Sequence, residues 1–196
     1  MSRPIEDHCL DQLFRDARSH GAWTDQPVSD TDIRAIYELT KCGPTSANCS
    51  PARFVWVVSD EAKARLKPLV SAANADKVIR APVTVIIGYD LDFAKELPRL
   101  FPAAPTAKDW FADPSVAQIT AFRNSTLQGG YLMLAARALG FDCGPMSGFD
   151  NAGVDGEFFA GTPIRSNFIC SIGHADPSKL GPRPPRMAFD EAGWIA

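Results

Sequence analysis

Five separated stretches carry the side chains with most to offer a ligand. They are Arg18-Ser19 with His20 beside them, Pro44-Thr45-Ser46-Ala47-Asn48, Asn74 with Lys77, Pro145-Met146-Ser147-Gly148-Phe149, and Arg183 through Arg186. Guanidinium forks and hydroxyls are the groups that hold a phosphate. The run PTSANCSP at 44–51 cannot extend a helix comfortably and is rich in side chains that bond backbone or ligand. A glycine at 148 lets the backbone come close to a neighbour. Each stretch also has a plain reading: a helix-end cation for Arg18, an exposed helix lysine for Lys77, ordinary turns for 44–51 and 145–149.

Other chemistries are poorly served. His8, His20 and His174 are widely spaced, and no HxxxH, HExxH or Cys/His cluster points to a metal. The five cysteines (Cys9, Cys42, Cys49, Cys143, Cys170) form no CxxC pair and read as reduced, mostly buried thiols of a cytoplasmic protein. Cys49 or Cys143 as a nucleophile lacks a histidine nearby in sequence. No Gly-x-Gly-x-x-Gly and no Walker sequence is present, so a separate dinucleotide fold is not expected.

The elements that must position these stretches follow from periodicity. Ile5, Cys9, Leu13, Phe14 and Ala17 predict an amphipathic helix over 5–19. Ser29 with Asp32 resembles a capping box and opens a helix through Leu39, closed by Gly43-Pro44. Residues 54–58, 82–87 and 167–172 read as buried strands, with Pro82 at a strand start, where proline is tolerated. Residues 60–72 read as a helix that Pro68 kinks. Residues 91–113, with Pro98, Pro102 and Pro105 among Leu97, Phe101, Trp110 and Phe111, read as an irregular aromatic excursion: a cover over something, or a satellite cluster on the main core. Residues 115–139 form the longest helical pattern and are apolar around much of the girth. Gly129-Gly130 inside it costs about 1 kcal/mol per glycine, a cost that close approach of another helix would offset. Residues 143–149 read as turn-rich, Val154–Phe159 as a short helix, and the Pro-rich tail as an extended segment whose apolar end docks on something. Strands interleaved with helices, and no linker or repeat, predict one domain over 1–196 with a three-layer α/β or α+β fold.

Bulk properties agree. The chain of 196 residues carries 20 Lys+Arg against 23 Asp+Glu, a formal charge of −3. A pI near 5.6 without a dense basic run excludes nucleic acid as a natural partner. No apolar run approaches the roughly 20 residues that span a bilayer, so no membrane association is expected. MSRPIEDHCLDQ lacks a continuous apolar stretch and is acidic early, so no secretory signal is expected either.

Taken together, the five stretches resemble the flavin-dependent nitroreductase family in order and spacing across almost the whole chain. KCGPTSANCSPARF, AFRNSTLQGGYL, GPMSGFD, FFAG and SKLGPRPPR are similar to the malonic semialdehyde reductases of uracil degradation. The resemblance implies an α+β, nitroreductase-like, three-layer fold with a central mixed or antiparallel sheet flanked by helices. It also implies a homodimer with two FMN sites at the interface, and NAD(P)H as hydride donor. It assigns Arg18, Ser19 and Arg186, assisted by Arg183, to the FMN phosphate, which carries about −1.5 to −2 charges. Asn74 and Lys77 fall at the pyrimidine edge of the ring, where a cation stabilises the charge that reduction places at N1. Pro145, Met146, Ser147 and Gly148 fall near N5, with Ser147 in place of the family's common glutamate. Pro44, Thr45, Ser46 and Asn48 would reach the flavin from the partner subunit. Many relatives carry a second basic residue where this chain has Gly21, so Lys77 acts alone or His20 compensates. Malonic semialdehyde has a carboxylate for which Arg53 or Arg123 is a partner. The other functions open at this point are a general nitroaromatic or quinone reductase and a non-catalytic flavin-binding module.

Overall fold

The computed structural model describes residues 3–196. Its centre is set by alternation along the β-branched run at 83–87. Val83, Val85 and Ile87 join one core cluster and Ile86 the other, so one strand feeds both faces of a sheet. Four strands make that sheet: β1 (Ala52–Val57), β2 (Val83–Asp90), β3 (Asp142–Met146) and β4 (Ile164–Gly173), in the order β1-β2-β4-β3. Every pairing among the four strands is antiparallel, one of the two sheet types expected.

The helices are α1 (Asp7–Leu10), α2 (Asp30–Thr40), α3 (Asp60–Leu66), α4 (Ala72–Arg80), α5 (Leu97–Leu100), α6 (Pro114–Ala138), α7 (Asn151–Phe158) and α8 (Phe189–Ala192). Ile36 of α2 and Leu132, Ala135 and Ala136 of α6 pack on one face of the sheet. Leu66 of α3, Val78 of α4 and Val154 of α7 pack on the other. This is the three-layer α+β arrangement. The excursion at 91–113 is the satellite cluster: Phe93, Leu97 and Ala107 are buried against Ala117 and Ala121 of α6.

Local signals explain the edges of these elements. Ser29 Oγ accepts from the Asp32 N–H while the Asp32 carboxylate accepts from the Ser29 N–H, the reciprocal cap expected from the sequence. The N-terminal helix is shorter than expected. α1 passes into a π-type turn, with the Asp16 N–H on the Asp11 carbonyl at 2.9 Å, and ends at Arg15. Residues 19–24 are needed elsewhere, as a cover for the outer edge of β3: Ser19 bridges Cys143, and the His20 N–H donates to the Cys143 carbonyl at 2.9 Å.

β3 itself was read as a turn because it contains Gly144 and Pro145. It is the last strand of the sheet, where proline is tolerated. Residues 60–72 do not form one kinked helix. α3 stops at Leu66, Lys67–Leu69 make a single 3₁₀ turn around Pro68, and α4 begins afresh. At Gly129 the close neighbour is a strand side chain rather than a helix: a Cβ there would lie 2.4 Å from Cζ of Phe168 on β4. At Gly130 nothing lies within 4 Å. The apolar end of the tail does not dock on its own protomer, since Phe189, Trp194 and Ile195 stay exposed.

Gly129→Ala should therefore overpack the joint between α6 and β4 and cost about 1–3 kcal/mol, read as a lower denaturant midpoint. An unchanged midpoint would contradict that joint.

Candidate functional site

The end of the N-terminal turn, the C-terminal end of α6 and the tail meet around a cleft of about 580 Å³. Its charged lining is Arg18, Arg137, Lys179, Arg183 and Arg186, with Ser19 and Gly21 beside them and no carboxylate. None of these five cations makes an ion pair among the described residues. The four arginines are held by backbone carbonyls instead. Arg18 donates to Gly181 O at 2.8 Å, Arg183 to Ala17 O at 3.1 Å, Arg186 to Pro184 O at 3.1 Å, and Arg137 to Leu13 O at 3.2 Å. The Arg18 and Arg183 bonds strap the tail to residues 17–18. The Arg137 Nε is buried and has no hydrogen-bond partner. A buried, unmatched donor on one of five unpaired cations fits an oxyanion such as phosphate. Arg18, Ser19, Arg183 and Arg186 thus come together as the sequence expected. Arg137 and Lys179 were missed, because each reads locally as a solvated cation at the end of a helix or in a polar tail.

His20 sits next to this cleft with its side chain 10% exposed and Nε2 3.3 Å from Asp142 Oδ1. Burial is the largest influence on the imidazole and lowers its pKa; Asp142 opposes, and the Arg18 and Arg137 guanidiniums lower it further.

The second part of the site is continuous with the cleft. Gly21 lines the cleft, and a Cβ on it would lie 3.0 Å from Cε of Lys77. The stem of Lys77 therefore occupies the space that a basic side chain at position 21 would need. Lys77 Nζ lies 3.3 Å from Asn74 Oδ1, and Asn74 Nδ2 donates to the Gly148 carbonyl at 3.1 Å. Asn74 thus links the lysine of α4 to the turn after β3. A Cβ at Gly148 would lie 2.9 Å from Asn74 Nδ2, so any larger residue there would push the Asn74 amide aside. The Met146 side chain packs into the core, which leaves only its backbone for a ligand, while Pro145 is half-buried and Ser147 is exposed.

The remaining stretch, 44–48, stands apart from these. The Ser46 N–H donates to Asn124 Oδ1 at 2.8 Å, near the middle of α6. Thirteen residues separate Asn124 from Arg137, about 20 Å of helix rise. The loop is strained: Ala47, Asn48 and Ser50 have φ of 50°, 50° and 40°. A left-handed non-glycine residue costs of order 1–3 kcal/mol and persists only where surroundings over-determine it. Here Thr45 Oγ1 accepts from the Ser50 N–H, Gln128 Oε1 from the Ala52 N–H, and Leu100 O from Asn48 Nδ2. Pro44 and Ser46 are exposed. Gly43 packs under Tyr131, at the edge of an exposed apolar stripe on α6 formed by Ile119, Phe122, Leu127 and Tyr131.

Thiol chemistry has no support in this geometry. Cys49 is 1% exposed and burial pushes its pKa up to about 11. Cys143 is fully buried. Arg53 is committed to Asp90, Nη2 to Oδ2 at 2.6 Å, whereas Arg123 on α6 makes no ion pair among the described residues.

Comparison with known proteins gives a consistent result. The model described as "Nitroreductase family" matches residues 15–174. A Caulobacter vibrioides protein provisionally named an NADH dehydrogenase/NAD(P)H nitroreductase is 60% identical over 191 residues, 97% of this chain and 98% of its own. A Ralstonia pickettii protein with the same designation is 57% identical over 190 residues, 95% of this chain and 97% of its own. In structure, a provisionally named nitroreductase from Exiguobacterium sibiricum, crystallised in complex with FMN, is similar with a TM-score of 0.86 at 23% identity, covering all of both chains.

Inorganic phosphate should raise the Tm of the ligand-free protein, and Arg137→Ala should reduce that rise; an equal rise in both proteins would remove Arg137 from the site. Since the folded His20 pKa lies below its unfolded value near 6.5, the group's contribution to stability is complete above that pH and is lost as pH falls toward the folded value. The slope of stability against pH below about 6.5 should therefore flatten in His20→Gln. An unchanged slope would place the acid sensitivity elsewhere.

Proposed function

The chain belongs to the nitroreductase family, and from that premise we propose that it is an FMN-dependent oxidoreductase that takes hydride from NAD(P)H and reduces malonic semialdehyde (3-oxopropanoate) to 3-hydroxypropanoate. The observation that carries this reading is the carboxylate-free cleft of five unpaired cations opening beside Lys77.

In this reading Arg18, Ser19, Arg183 and Arg186, joined by Arg137 and Lys179, neutralise the cofactor's phosphate. Lys77 supplies positive charge at the pyrimidine edge without help at position 21, and Asn74 fixes the lysine's position. The backbone from Pro145 to Gly148 offers N–H and carbonyl groups at the N5 side. Bound flavin supplies two-electron hydride chemistry, which this chain's residues otherwise lack. Arg123 is better placed than Arg53 to meet a substrate carboxylate, because Arg53 already has Asp90.

Pro44, Thr45, Ser46 and Asn48 complete the site from a second copy. Two observations support that assembly. The loop lies far along α6 from its own cleft, and α6 exposes Ile119, Phe122, Leu127 and Tyr131 on the adjoining face. A surface of that kind is what an isologous homodimer covers. A wider nitroaromatic or quinone reductase fits the same site, and the relatives' names favour it.

The test is kinetic. Anaerobic NADPH or NADH should bleach the bound flavin's visible absorbance, and kcat/KM for malonic semialdehyde should exceed that for a quinone. Bleaching with a quinone preference would move the assignment to the wider reductase. Absence of bleaching would leave a flavin-binding module without turnover. Lys77→Ala should make the flavin harder to reduce, and an unchanged potential would remove the lysine from the ring.

A further inference from the structure

We infer that Asn124 and Gln128 of α6 are positioning residues for the flavin site of the neighbouring subunit, acting through the strained loop 45–50. The inference rests on the cofactor reading above.

The two amides are one helical turn apart on the buried side of α6, 3% and 6% exposed. Their oxygens accept from the two ends of the loop, Ser46 N–H at 2.8 Å and Ala52 N–H at 2.9 Å. The Asn124 Nδ2 is anchored on Thr120 O at 2.8 Å, which fixes the direction in which its oxygen points. Between the clamped ends lie all three non-glycine residues with positive φ among the described residues: Ala47, Asn48 and Ser50. Without the clamp the loop loses its hydrogen bonds to α6 and keeps against that helix only the apolar packing of Ala47 and Cys49 near Ala117 and Ala121, so these residues relax toward ordinary backbone and Thr45, Ser46 and Asn48 turn with them. Polar side chains in the middle of a core helix are costly unless matched. Here Asn124 is matched by the loop itself and Gln128 by Ala52, the first residue of the strand the loop leads into. The clamp therefore ties the loop to the helix whose exposed face would meet the second copy.

Asn124→Ala and Gln128→Ala should each weaken FMN binding to ligand-free dimer about tenfold, or ~1.4 kcal/mol, with the dimer intact. Ala47→Gly, which accepts the left-handed backbone freely, should recover most of that loss in the Asn124→Ala background. Mixed dimers of an Arg18→Ala chain and an Asn124→Ala chain should regain one site of wild-type affinity, because one intact cleft then faces one intact loop. Unchanged affinity in both single variants, no recovery by Ala47→Gly, or mixed dimers with two weak sites would each overturn the inference. Wild-type protein that does not bind FMN at all would instead overturn the cofactor reading on which it stands.

Discussion

Like charges crowded into one cleft are the constraint around which this molecule is arranged. Two unit charges 8 Å apart repel by about 2 kcal/mol at an effective dielectric of 20. Here five cations line one cleft without a carboxylate among them, in a chain whose formal charge is −3. Carbonyls of Leu13, Ala17, Gly181 and Pro184 soften the repulsion but do not cancel it. Two of these bonds, Arg18 to Gly181 and Arg183 to Ala17, lash an otherwise exposed tail to the N-terminal segment. A dianionic phosphate would relieve the repulsion and tighten the strap in one event, so cofactor retention and order in the tail are coupled.

The rest of the fold holds that cleft against Lys77, Asn74 and the turn after β3. The antiparallel sheet fixes β3, and residues 19–24 run along its free edge, which places Ser19 and His20. The turn after β3 is joined to α4 through Asn74 and Gly148, which places Lys77. α6 spans the molecule, carrying Arg137 at one end and the amide clamp near its middle. One long helix thus sets the spacing between the cleft and the loop.

What the sequence made legible was local. The Ser29–Asp32 cap, the Pro82 strand start and the long α6 pattern depend on neighbours within a few residues, and each formed as read. β3 was lost because Gly144 and Pro145 signal a turn by propensity, and only its place at the sheet edge overrides that. The helix over 5–19 was overextended because its apolar spacing continues past Arg15, while the backbone of 19–20 is claimed by Cys143. Arg18, Ser19, Arg183 and Arg186 were found through the resemblance. Arg137 and Lys179 were not, since nothing nearby in sequence distinguishes them from surface cations. Asn124 and Gln128 were hidden in the same way, as polar residues of a long helix whose partners lie about 80 residues earlier.

The central claim is that the cleft recognises the phosphate of the cofactor rather than its ring alone. Titrating the ligand-free protein with FMN and with riboflavin isolates that group, because the two differ only by the phosphate. Several charge-assisted bonds at about 1.5–3 kcal/mol each predict FMN binding at least 100-fold tighter, with the gap narrowing as salt rises. Equal affinities for the two ligands at low salt would contradict the account.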